Sequence, residues 1–307
     1  MSRVLNSVAL FAALAVASSL SCRPDLGDRE SLVTGTQILA IQGEPPEVKP
    51  GVVARYSLLV ATPDGPSVTP AASWAFCSTP KLLTENGAAS AACLGDGARP
   101  VADGLAAIEA AMPEDACAIF GPEVTSAELR PRDPDVTGGY YQPLRVTLGA
   151  PEGNVTAFGL ERISCALTNA SADVTTDFAA RYTPNENPVL DRLTATVAGA
   201  PAALDAIPRG AKVTLRVSWP EASAERYVVY DLASRSLVSH RESMRVSWFT
   251  TAGVFESDRT GRTEDELDAF TENEWTAPVE PRTVHLYVVL RDARGGVAFA
   301  THTIVTR

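Results

Sequence analysis

Five cysteines are the residues of this 307-residue chain whose type and spacing most directly suggest chemistry. Cys77, Cys93, Cys117 and Cys165 form an even set, and such thiols oxidise to disulfides once a chain leaves the reducing cytosol. Four cysteines allow three connectivities; the one that closes the shorter loops joins Cys77 to Cys93 and Cys117 to Cys165. Each bridge would contribute on the order of 3–4 kcal/mol by constraining the unfolded chain. A four-cysteine zinc site uses paired C-x-x-C spacings, which the chain lacks. The fifth cysteine, Cys22, ends the stretch "VALFAALAVASSLSC" and is left out of that even set.

Other reactive patterns are sparse. There are three histidines, His240, His285 and His302. Pairing Val288 with Phe299 and Leu290 with Val297 in the last hairpin keeps its apolar face together and sets His285 opposite His302, the start of a metal site that still needs a third ligand. An odd-length turn with a bulge at Gly295 or Gly296 would separate the two imidazoles. Residues 256–274 hold eight carboxylates, among them Asp258, Glu264, Asp265, Glu266 and Asp268. They lack the alternating Asp and Gly pattern of a calcium loop, and Arg259 and Arg262 offset part of their charge, so a solvated loop is expected. No G-x-S-x-G, H-E-x-x-H or phosphate-binding glycine loop is present. No catalytic residue, metal or cofactor is expected. Trp219 and Trp275, if exposed, would offer sugar-stacking platforms; burial on strands is the ordinary alternative.

The elements that position these residues begin with a leader. Arg3 supplies a positive end, residues 8–17 an apolar core, and small residues follow, the pattern of an export signal over residues 1–21. The apolar run is shorter than the roughly 20 residues that a membrane span needs. The short apolar and small run ending in Leu20-Ser21-Cys22 resembles the bacterial lipoprotein signal, which implies that Cys22 is the acylated amino terminus of the mature protein. Two or more acyl chains hold a protein stably on a bilayer. Ala15-Val16-Ala17 offers the alternative, ordinary cleavage and soluble secretion. The polar, proline-bearing residues 22–34 read as a tether.

Composition bounds the rest. The chain is 45% hydrophobic and 7% aromatic, with 21 Gly and 22 Pro, which suits short strands joined by punctuated turns. A net charge of −11, with only three lysines, leaves no broad basic surface for nucleic acid. The expected class is all-β: two tandem immunoglobulin-like β-sandwich domains at residues 35–186 and 187–307. "TQILAIQGEPPEVKPGVVARYSLLV" gives a proline-broken first strand, a Pro-Gly turn and a second strand, and "ASWAFC" sets Trp74 on a third. This opening resembles the immunoglobulin-like modules of bacterial envelope proteins. From residue 78 to 139 the strand pattern lapses into a long insertion, with "VADGLAAIEAAM" as a helix-like piece and two cysteines as staples. "SADVTTDFAARY" reads as a helix capped by Ser171, and "TPNENP" marks the domain boundary. The second domain repeats the order of extended segment, proline, glycine turn and alternating strand ("KVTLRVSW") and ends in "WTAP", "VHLYVVL" and "DARGG".

As a whole the chain resembles uncharacterised lipoproteins of myxobacteria with bacterial immunoglobulin-like domains, a resemblance that brings no activity with it. The expected function is a lipid-anchored envelope protein at the outer membrane or periplasm, binding or spacing an envelope protein or glycan without catalysis. The alternative is a secreted hydrolase of glycan or peptide, with carboxylates in the insertion or the acidic loop.

Overall fold

Strict alternation builds the strands that define the cores. In β12 (Lys212–Ser218) the side chains of Val213, Leu215 and Val217 turn inward while Lys212 and Arg216 face water, the period of two that a half-buried strand requires. The computed structural model describes residues 29–68, 70–82, 84–123 and 132–307. Residues 31–307 form one compact unit whose regular structure is mostly strand.

Four sheets carry the cores. The first contains β1 (Gln37–Glu44), β3 (Val53–Thr62) and β4 (Gly65–Ser67), with β7 (Ala107–Ala111) also paired to β3. The second runs in the order β2 (Glu47–Val48), β9 (Gly153–Ile163), β8 (Tyr140–Ala150), β5 (Ala72–Cys77), β6 (Ala98–Leu105). The third runs β11 (Ala200–Ala202), β10 (Arg192–Val197), β12, β18 (Phe270–Thr276), β16 (Val254–Phe255). The fourth runs β17 (Arg259–Arg262), β15 (Met244–Thr250), β19 (Thr283–Arg291), β20 (Val297–Val305). A separate ribbon pairs β13 (Arg226–Asp231) with β14 (Ser236–Arg241).

Side chains of the first and second sheets, including Tyr56, Trp74, Phe76 and Val146, close one core. Those of the third and fourth, including Leu215, Trp248, Trp275 and Leu286, close another. A third cluster joins the backs of the first and fourth sheets: Leu39, Ala40, Leu59 and Ala61 pack with Tyr287, Val289 and Val297. Strand β19 is therefore covered on both faces, which explains why "VHLYVVL" fills even its intervening positions with Tyr287 and Val289. Covering each such side chain contributes about 1.5–3 kcal/mol.

Several expectations are corrected here. "VADGLAAIEAAM" is not helical: it forms the end of β6 and all of β7, one paired to β5 and the other to β3, so residues 98–111 stitch the two facing sheets together. Ile108 and Ala110 point inward and Glu109 outward, a period of two that overrides the helix propensity of alanine. Among the described residues of 78–139, a short α-helix spans Ala116–Phe120 and a 3-10 turn Ala91–Leu94. Residues 31–33, expected in the tether, belong to the fold: Val33 N donates to Thr250 O (2.9 Å), Thr250 N donates to Ser31 O (2.8 Å), and Val33 is buried. The capped helix forms over Ala172–Arg181, with Ser171 Oγ accepting from Val174 N at 3.4 Å.

The last hairpin is shifted by one residue from the expected register. His285 faces Thr303 and His302 faces Leu286 across the strands, so the two imidazoles are not opposite each other. Residues 292–296 make a five-residue turn, with Gly295 at φ +103°. Its odd length moves each residue of β20 by one place, and a one-residue slip reverses every side chain.

Candidate functional site

Cys22 lies outside the described residues. The structure joins Cys77 to Cys93, tying the end of β5 to the turn before β6, and Cys117 to Cys165, tying the short helix to the segment after β9. His240 Nδ1 lies 2.9 Å from Glu264 Oε2 at the surface. Burial lowers the pKa of His302. The acidic run is spent on pairs and caps: Glu272 with Arg216, Glu274 with Lys212, and Glu266 accepting from Thr263 N. Among the described residues, no group of three or more His, Cys, Asp or Glu is placed to hold a metal. All four tryptophans are at most 3% exposed, which overturns the sugar-platform reading of Trp219 and Trp275.

The charges that sequence reading missed lie where the sheets meet. In the β19–β20 turn, Asp292 Oδ1 accepts from Arg294 N (2.9 Å) and Gly296 N (2.8 Å), and this fixes Arg294 pointing inward. Its guanidinium is fully buried. Nε donates to Glu242 Oε1 (2.6 Å), Nη2 to Glu225 Oε2 (2.7 Å) and Nη1 to Thr183 O (2.8 Å), and the group lies 4.7 Å from the centre of the Tyr227 ring. Burial and Asp292 push the Glu242 carboxyl up, and the Arg294 guanidinium opposes them.

A second buried pair stands beside it. Arg162, on β9, approaches Glu47 Oε2 at 3.3 Å and donates to Thr137 Oγ1 (2.7 Å), Thr137 O (3.1 Å) and Tyr141 Oη (3.0 Å). Glu47 accepts from Tyr182 Oη (2.6 Å), Ser164 Oγ (2.8 Å) and Asn185 N (3.0 Å). Burial opposes the charge on Arg162, but the oxygens of Tyr182, Tyr141 and Glu47 outweigh it and raise its pKa. Two contacts couple the pairs: Tyr141 Oη donates to Arg294 O (3.3 Å), and Asn185 Nδ2 reaches both oxygens of Asp292 at 3.4 Å. The "TPNENP" segment, without helix or strand, is thus the clasp between the two halves of the chain. Tyr182 arrives from the helix Ala172–Arg181, stacked on Phe178 with ring centres 4.7 Å apart.

Replacing Tyr182 with Phe keeps that stacking and removes the donor to Glu47. Hydrogen bonds to a charged group are worth about 1.5–3 kcal/mol, and urea unfolding should register a loss of that size. A loss below roughly 0.5 kcal/mol would mean that Arg162, Ser164 and Asn185 hold Glu47 without it.

Next to the clasp lies a cleft of about 500 Å³ between β1, β9 and the β19–β20 turn. Its walls include Ile41, Tyr56, Tyr141, Phe158, Glu161, Arg291 and Asp292. Asp292 is raised by burial, but its oxygens are taken by the turn and by Asn185. Glu161 differs. Burial, then the charges of Glu44 and Glu47, push its carboxyl up to about 8. Its Oε1, the Tyr56 hydroxyl and Gln142 Oε1 are buried and have no hydrogen-bond partner among the described residues. Gln142 is the cross-strand neighbour of Glu161 on β8. Gly43 faces the carboxylate, and a Cβ there would overlap it. The buried carboxylate that stands out lies on β9, not in the insertion or acidic loop named by the alternative reading, and "GLERI" shows there a Glu-Arg pair that reads as surface charge until its neighbours are known.

No family model and no curated protein matches the chain. Among solved structures, the dimeric latent PorU of Porphyromonas gingivalis aligns over 92% of this chain and 35% of its own, at 10% identity and a TM-score of 0.23. The adhesin InvE of Yersinia pseudotuberculosis aligns over 91% of this chain and 61% of its own, at 10% identity and a TM-score of 0.22. Domains 4 and 5 of the S-layer protein SbsC align over 88% of this chain and 98% of their own, at 8% identity and a TM-score of 0.19. No described helix is long and apolar enough to cross a membrane.

Proposed function

We propose that the protein is a lipid-anchored cell-envelope protein, at the outer membrane or in the periplasm, with a binding or structural role and no catalysis. The cysteine arithmetic carries this reading: of five cysteines, four are joined to each other, so Cys22 has no cysteine partner within its own chain. Acylation gives a lone cysteine behind an export-type leader both a role and protection from stray oxidation. Two stapled, clasped β cores, read as tandem immunoglobulin-like sandwiches, suit a binding or spacing role. The partner is an envelope protein or a glycan.

The test is fractionation of the expressing bacterium together with mass spectrometry of the mature amino terminus. The native protein is expected in the membrane fraction with diacylglycerol on Cys22; Cys22→Ala is expected to leave that fraction. An unmodified terminus at Ser18 and a fully soluble native protein would overturn the anchor.

The hydrolase reading draws on Glu161 and Asp292 sharing the cleft, since paired carboxyls serve as acid and base. With the oxygens of Asp292 already engaged, Glu161 is the one of the two with an oxygen unclaimed by a protein donor, which favours binding over acid–base work.

A further inference from the structure

We propose that the cleft beneath β1 is a binding site for a primary alkylammonium group, such as a lysine side chain, with Glu161 as its counter-ion and Tyr56 as a second acceptor. This deepens the binding role proposed above and rests on it only in taking the cleft as non-catalytic; it stands whether or not Cys22 is acylated.

The geometry points there in three steps. First, Glu161 is 6% exposed and Tyr56 1% exposed, both line the cleft, and each carries an oxygen unclaimed by any donor among the described residues. Orphaned buried polar atoms are rare in folded proteins, and each takes ordered water, an ion or a ligand, or serves a function. Second, each unclaimed atom can accept: a carboxylate oxygen, a phenol oxygen, which can also donate, and, on the adjacent strand, the amide oxygen of Gln142. An ammonium offers three donors and one positive charge in a compact group, matching a set of acceptors beside one carboxylate. Third, Tyr141 and Phe158 add aromatic wall, and ring faces attract cations while apolar surface covers an alkyl stem.

The surrounding charges favour a cation at Glu161. Glu44 on β1 and Glu47 on β2 both act on it as like charges. Of the other charged groups lining the cleft, Asp135 is bound to Thr137 and Gly139, Asp292 to its own turn, and Arg291 to Leu39 O at 3.0 Å; Arg162, next along β9, is bound to Glu47 and Thr137. Arg291 feels the further positive charges of Arg259 and Arg245. Binding exchanges a proton: the Glu161 carboxyl, largely protonated at neutral pH, releases H⁺ to solvent as the ammonium takes its place.

The experiment is calorimetric titration of the full chain with Nα-acetyl-lysine methylamide, and with Nα-acetyl-norleucine methylamide as the uncharged control, between pH 6 and pH 9. The lysine probe is expected to bind with proton release, its affinity rising about tenfold per pH unit up to about pH 8 and levelling above it. The norleucine probe is expected to bind at least tenfold more weakly. Glu161→Gln should lose the affinity at least tenfold and abolish its pH dependence. Tyr56→Phe, which keeps the ring in the core, should lose affinity severalfold and retains the test if the first variant misfolds. Equal binding of the two probes, no binding at millimolar concentration, or unchanged affinity in a folded Glu161→Gln would overturn the site. Cleavage of the lysine probe's amide would support the site and overturn the non-catalytic reading, while the anchor is judged separately by fractionation.

Discussion

Arg294→Ala is expected to lower the unfolding free energy by about 3–5 kcal/mol, the usual result of removing one partner from a buried ion pair. The Glu242 side chain is fully buried and that of Glu225 is 17% exposed, so neither reaches enough water to recover its hydration when the guanidinium is gone. Thr183 O also loses its donor, and the Tyr227 ring loses the cation over its face. Arg294→Met separates charge from volume. It fills most of the space, and combined with Glu242→Gln it should recover part of the loss, because the carboxylate no longer stands unpaired. Denaturant unfolding of the three variants checks this. A single-variant loss below about 1 kcal/mol, or no recovery in the double variant, would mean that the clasp contributes little beyond packing.

That clasp marks the limit of what could be read from the sequence. Local patterns were legible: the alternation of Val213, Leu215 and Val217, the strand holding Trp74, and the helix capped by Ser171 all follow from short-range rules. The helix expected in "VADGLAAIEAAM" failed because the propensity of its alanines is weak against the gain from pairing Ile108 with Tyr56 across β3 and β7. The hairpin register failed on the length of one turn. Glu47, Arg162, Asn185, Glu242 and Arg294 are spread over some 250 residues, and each looks like an ordinary surface charge or turn residue by itself. Only the non-alternating apolar positions of β19, Tyr287 and Val289, signalled a second buried face, and hence that the two halves pack on each other.

The second large effect is a dependence of stability on pH with the sign opposite to that of an ordinary salt-bridged carboxylate. Glu161 titrates at about 8 in the folded chain, raised by burial and by Glu44 and Glu47, and at its ordinary, much lower value once unfolded. Between those two values the folded state binds the extra proton, so the unfolding free energy falls as pH rises. The contribution is fully present below about pH 4.5, declines through neutrality and is exhausted above about pH 8; integrated over the window it amounts to roughly 3–5 kcal/mol. Glu225 and Asp292, also raised by burial, add to the same trend. Asp115, whose carboxyl is held below its usual value chiefly by its hydrogen bonds with Arg99, acts in the opposite sense and only at lower pH. Thermal or urea unfolding of Glu161→Gln against the parent isolates the Glu161 part. The amide carries no charge to bury, so the variant should be more stable than the parent at pH 8 and match it near pH 5, with a flatter profile between. Parallel profiles for the two proteins would mean that Glu161 is ionised in the fold and already neutralised there. The cleft would then hold no uncompensated carboxylate for a ligand's ammonium to meet, so this measurement on the unliganded protein also tests the premise of the binding site.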